Sequence, residues 1–197
     1  MDDRASKSFA TPEEAAAQAR NDLIGALEAN KELNLGIDLA RLRESRPGKF
    51  IRYAEVDFEK LLTSKPVTSL SELIKTDKSL ITPFVTGNDV VGIAEVAKVS
   101  DGWKIIALGN KKISDDLNSA KAVLGEKSAA TLYDVPNLQL SIFGVKENSD
   151  ERYFLEFDQF SLKEGVPVSA FFPLLQEKAR QFDKQFGDQV RRQKLVK

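Results

Sequence analysis

Residues 80–108 read LITPFVTGNDVVGIAEVAKVSDGWKIIAL, and the punctuation of this stretch decides the fold. Three apolar, β-branched runs, Leu80–Val85, Val90–Val99 and Trp103–Leu108, are separated by Thr86-Gly87-Asn88-Asp89 and Ser100-Asp101-Gly102, which are turn chemistry. Connections this short join antiparallel neighbours, so a three-strand meander is expected. Downstream, Ser114 is placed to cap a helix running through Leu124, with Gly125 positioned to end it.

The same succession follows. Thr131–Val135, Leu138–Lys146 and Glu151–Phe160 read as strands, with Glu147-Asn148-Ser149-Asp150 as a hairpin tip. Leu175, Ala179, Phe182 and Phe186 then recur at helical spacing. Pro173 sits too deep for an ordinary helix interior, which sets the expected start near Phe172. Gly187 either ends this helix or lets it fray into the tail. Residues 80–125 and 131–187 thus both read strand-strand-strand-helix, without residue-level identity between them.

Upstream, Thr11-Pro12-Glu13-Glu14 reads as a capping box, and Ala15, Ala19, Leu23, Ala26 and Leu27 carry a helix to about Asn30. Leu35, Ile37, Leu39 and Leu42 form a less regular stretch, and Arg46-Pro47-Gly48 marks a turn. Phe50 to Phe58 alternates, with Phe50, Ala54, Val56 and Phe58 on one face, and Tyr53, Glu55 and Asp57 on the other. Ser69-Leu70-Ser71-Glu72 offers a second capping box, for a short helix ending near Lys75. The expected fold is α+β, an antiparallel sheet of roughly five to seven strands with three or four helices packed on it. Two β-β-β-α units are one form this could take. The organisation read from the chain is a disordered leader at 1–10, a single α+β domain at 11–187 and a basic tail at 188–197.

Composition narrows the chemistry. Of 197 residues, 42% are hydrophobic and 30% charged, an ordinary globular balance that needs no disulfide or metal to fold. With no cysteine and no histidine, thiol nucleophiles, zinc fingers, Ser-His-Asp catalysis and imidazole switching are excluded. The net charge of −1 argues against dedicated nucleic-acid binding. No apolar run approaches the roughly 18 residues of a membrane span, so a soluble protein is expected. Met1 is the only methionine, a pattern expected of a processed mature protein with a start residue added. That leans towards an extracytoplasmic location: periplasmic, secreted or lipid-anchored after processing.

Candidate sites are few. Glu55, Asp57 and Glu59 lie at alternate positions and could present three carboxylates to a metal; a half-exposed strand needs a polar outer face in any case, and that is the favoured reading. Lys111 and Lys112 follow Gly109-Asn110 at a helix start, where backbone amides could receive an anion; Asp115 and Asp116 in the same helix would compete with it. Arg191, Arg192 and Lys194 belong to the last nine residues, which hold four basic side chains and no acidic one. They could touch an anionic surface, or simply form a solvated terminus. Trp103 reads as a ligand platform or a core anchor, and Phe171-Phe172 as the packing point of the last helix. No catalytic residue and no cofactor is indicated. These features favour a non-catalytic binding or structural module with an unidentified protein or small-molecule partner. The alternatives are an enzyme using carboxylate, Lys or Ser chemistry, and weak anionic-surface binding through the tail.

Overall fold

The computed structural model describes residues 8–30, 35–125, 129–147 and 150–194. Among the described residues are eight strands and five α-helices, an α+β fold. The sheet runs in the order β5 (Gly102–Leu108), β4 (Asp89–Val99), β3 (Ile74–Thr86), β2 (Ile51–Val56), β6 (Ala129–Val135), β7 (Leu140–Glu147) and β8 (Asp150–Leu155), with β1 (Arg46–Pro47) paired to β3. The β1–β3, β3–β4, β4–β5 and β7–β8 pairings are antiparallel, and the last three join strands only a few residues apart in the chain. The elements beyond the expected number are short: β1 has two residues, and two of the helices have six each. None is long enough to show a hydrophobic period. By Cα packing the chain divides into two compact units, 1–53 with 78–130 and 54–77 with 131–197.

In the first unit, α1 (Pro12–Ala29) begins where the capping box placed it. Thr11 accepts from the Glu14 amide at 3.2 Å, while the Glu14 carboxylate reaches back to the Ala10 amide at 3.1 Å. Its buried face is Ala15, Ala16, Ala19 and Leu23, and these small side chains let α1 pack against β4 and β5. The helix α2 (Leu39–Glu44) is capped by Asp38, which accepts from the Ala40 and Arg41 amides at 2.9 and 3.2 Å. Leu42 from α2 joins Ala19, Leu23, Phe84, Val91 and Ala94 in one apolar cluster. Arg46-Pro47, expected as a turn, is instead the strand β1 (Arg46–Pro47), in register with Val85 and Phe84. A proline is tolerated there because so short a peripheral strand needs little from its missing N–H.

The meander itself is β3 (Ile74–Thr86), β4 (Asp89–Val99) and β5 (Gly102–Leu108). Thr86 pairs with Asp89 around a two-residue turn, in which Gly87 supplies a φ of 62°. β3 starts earlier than expected because Lys75 to Asp77 are exposed and carry no apolar signal. The expected cap at Ser114 moves to Asn110: α4 (Lys111–Ser119) opens with Asn110 accepting from the Ile113 amide at 3.1 Å. Ser114 lies inside the helix, donating to the Asn110 carbonyl at 3.1 Å. The helix also ends earlier, and Lys121–Leu124 is a separate 3-10 turn.

In the second unit, the strand expected over 50–58 is β2 (Ile51–Val56), whose last residues lie here. Asp57 leaves the strand to cap α3 (Phe58–Thr63), accepting from the Lys60 amide at 3.1 Å. The Ser69–Glu72 capping box is present, around a 3-10 turn at Leu70–Leu73. β6 (Ala129–Val135), β7 (Leu140–Glu147) and β8 (Asp150–Leu155) follow. β7 begins later than expected because Pro136–Leu138 is a 3-10 turn closed by Gln139 at a φ of 51°. Asn148 and Ser149 of the expected hairpin tip lie outside the described residues. β8 ends before Phe160, since Phe157 and Phe160 exchange backbone hydrogen bonds around Asp158, whose φ is 53°. Aspartate tolerates that conformation better than most residues.

α5 (Val168–Lys194) starts before Phe172, so Pro173 stands within it. In the second turn a proline forfeits a single backbone hydrogen bond, and burial of the flanking residues outweighs that loss. Phe171, Phe172, Leu175 and Ala179 are buried against Leu61, Tyr153 and Leu155. Gln176 fastens α5 to α3 by donating to the Leu61 and Ser64 carbonyls at 3.0 and 2.8 Å. Gly187 does not end the helix, which continues to Lys194. The first residues of the expected tail are therefore helical, and residues 195–197 lie outside the described residues, as do 1–7 of the expected leader.

Candidate functional site

The carboxylates read from the sequence do not share one strand face. Glu55 remains in β2 and accepts from Lys75 at 3.1 Å; Asp57 caps α3, and Glu59 is exposed in its first turn. Among the described residues no group of three or more acidic side chains is arranged around a common point for a metal ion. At the start of α4, Lys111 pairs with Asp115 and Lys112 with Asp116, each at 2.6 Å. Both lysines are therefore turned along their own helix by i,i+4 pairing. Arg191, Arg192 and Lys194 lie on the last turns of α5, and their side chains fall outside the described residues. Trp103 is half-buried, and its backbone exchanges two hydrogen bonds of 2.8 Å with Phe9.

The residues missed by sequence reasoning form two sites, one in each unit. The first is a polar hub. Glu151 and Tyr153 alternate along β8 and so project to the same side. Tyr153 donates to Glu151 Oε2 at 2.5 Å, Ser69 donates to the same oxygen at 2.6 Å, and Tyr133 donates to Oε1 at 3.1 Å. The Tyr153 oxygen also receives the Leu70 amide at 2.9 Å. Burial, and then the hydrogen bond to the Glu151 carboxylate, push the Tyr153 phenol well above its ordinary value. Gly144 of β7 lies opposite Tyr153, and without a side chain there the Tyr133 and Tyr153 rings approach to 6.1 Å between centroids. Every member of this hub is satisfied by another member. Its chemistry is therefore that of a fastening between the 3-10 turn and β8.

The second site is a cleft of about 600 Å³ in the first unit. One wall is the run Arg46 to Ile51, another is Pro83, Val85 and the Gly87-Asn88 turn, and the third is Lys121 with Val123 to Gly125 and Ala130. The lining mixes polar and apolar surface, and Arg46, Lys49 and Lys121 stand exposed at the cleft. Among the described residues no carboxylate lines it. Beside Lys121, Asp89 accepts from it at 3.1 Å and from Arg41 at 2.9 Å. The Arg41 guanidinium, and then the Lys121 ammonium, hold the Asp89 carboxyl below its ordinary value. Two smaller hollows, of about 160 and 340 Å³, share Leu35, Gly36 and Lys111. No helix among the described residues is long and apolar enough to cross a membrane.

No protein-family model matches the chain, and neither the curated proteins nor the solved structures contain a significant match to it.

Proposed function

We propose that the protein is a non-catalytic binding module whose ligand enters the cleft between Arg46–Ile51 and Lys121–Gly125. The observation that carries this reading is the cleft itself: about 600 Å³, concave, and lined by both apolar side chains and cationic groups. Small-molecule sites have this size, with apolar contacts supplying affinity and polar groups fixing orientation. The polar hub around Glu151 does not compete for the role, since its donors and acceptors are already matched. The test is a small-molecule fragment screen read by backbone amide shifts. Hits should cluster on Gly48, Gly87, Asn88 and Gly125, and Ala130→Phe, which fills the cleft, should abolish them. Hits that map elsewhere and survive Ala130→Phe would reject the cleft as the ligand site.

A further inference from the structure

Resting on that reading, we infer that the ligand is a small amphipathic anion, an apolar body carrying one carboxylate or phosphate. The charge argument is local. The whole chain has a net charge of −1, yet among the described residues the charged ones lining the cleft are Arg46, Lys49 and Lys121. Arg46 makes no ion pair among the described residues, so its planar fork is available for two parallel hydrogen bonds to an oxyanion. Lys121 is engaged, but on terms that permit exchange. Its partner Asp89 is shared with Arg41, and both members of the Lys121–Asp89 pair are about half exposed. Turning Lys121 to a ligand therefore leaves Asp89 neutralised by Arg41, and it breaks an exposed pair of the kind that contributes little.

The apolar argument is independent of charge. Phe50, Val85 and Leu124 remain partly exposed at the cleft, and an inorganic ion alone would leave them facing water. A body that covers them, with its head at the cationic residues, uses both halves of the cleft.

The experiment titrates the intact protein with decanoate, decyl phosphate, decanol and inorganic phosphate, each below any micelle threshold. Affinity is measured by calorimetry, and location by the Gly48, Gly87 and Gly125 amides. Decanoate and decyl phosphate should bind at least about tenfold more tightly than decanol, and less tightly as salt is raised. The tighter of the two identifies the head group. Arg46→Met and Lys121→Met should each weaken the anions about tenfold and leave decanol unchanged. Asp89→Asn, which releases Lys121, should strengthen them. Decanol binding as tightly as decanoate would overturn the anionic head, and inorganic phosphate binding as tightly as decyl phosphate would overturn the apolar body. In both cases the same amides would still respond, and the cleft would stand as a site. If none of the four compounds moves those amides, the amphipathic anion is overturned; whether the cleft falls with it is decided by the fragment screen and Ala130→Phe.

Discussion

The side-chain amide of Asn118 holds both backbone groups of Val90: it accepts from the Val90 N–H and donates to the Val90 carbonyl, each at 2.8 Å. A helix residue thus pairs with the start of β4 as a neighbouring strand would. Leucine has nearly the shape of asparagine and none of its hydrogen bonds. Asn118→Leu strands two partly buried backbone groups and should destabilise the fold by about 1–3 kcal/mol. Urea unfolding would show it as a lower midpoint with an unchanged slope. A midpoint equal to the wild type would mean that water replaces the clamp at no cost.

Tyr153 gives a prediction at the alkaline end. Its folded-state proton is bound more tightly than in the unfolded chain, where a phenol titrates near about 10. The stabilisation it contributes is therefore fully present below that value. It falls as pH rises above it, because only the unfolded state can then release the proton. Ultraviolet titration should show a class of tyrosine, Tyr153 included, that stays protonated until the protein unfolds. Tyr153→Phe should reduce that class by one phenol and leave the Leu70 amide without its acceptor, at a cost of about 1–3 kcal/mol. Three tyrosines titrating together in the native state would contradict the hub.

Glu72 gives the opposite sign at the acid end. The Thr68 hydroxyl, followed by the Ser69 and Thr68 amides, holds its carboxyl below the ordinary 4.5. The capping box therefore contributes above the unfolded value, and its contribution is lost as pH falls through the lower folded value. Carbon-detected titration should find Glu72 with a midpoint below the ordinary 4.5. In Glu72→Gln the corresponding part of the acid stability profile should flatten. A Glu72 midpoint at or above that ordinary value would mean that the box is not formed in solution.

What could be read from the sequence was local. Thr11 with Glu14, Ser69 with Glu72, and the Gly87 turn each announce themselves within four residues, because caps and tight turns are built from neighbours. Asp57 was misread for the same reason: its alternation with Glu55 persisted, while its capping role depended on Phe58 beginning a helix. The walls of the cleft come from 46–51, 83–88, 121–125 and Ala130, stretches far apart in the sequence that only the fold brings together. The hub likewise gathers Ser69, Tyr133, Glu151 and Tyr153 from three segments. One signal could have pointed there. A glycine inside the apolar run of β7 is a poor strand residue unless something approaches it closely.

That glycine carries the last prediction. A Cβ at Gly144 would lie 2.7 Å from Tyr133 Cε2, 3.0 Å from Glu151 Oε1 and 3.2 Å from Tyr153 Cε1. All three neighbours belong to the hub, and both tyrosines are buried, so neither ring can swing into solvent to make room. Gly144→Ala should therefore destabilise the protein by about 1–3 kcal/mol, despite alanine's better fit to a strand in general. Its partner variant, Tyr133→Leu, leaves a cavity and a carboxylate oxygen without one of its donors, and should be destabilising alone. The two defects fit each other: the added methyl group occupies part of the space that the ring vacates. The double variant should then be more stable than the sum of the single losses implies, by about 0.5–3 kcal/mol. Simple additivity would show that Gly144 and Tyr133 do not press on one another. The space over Gly144 would then need another explanation.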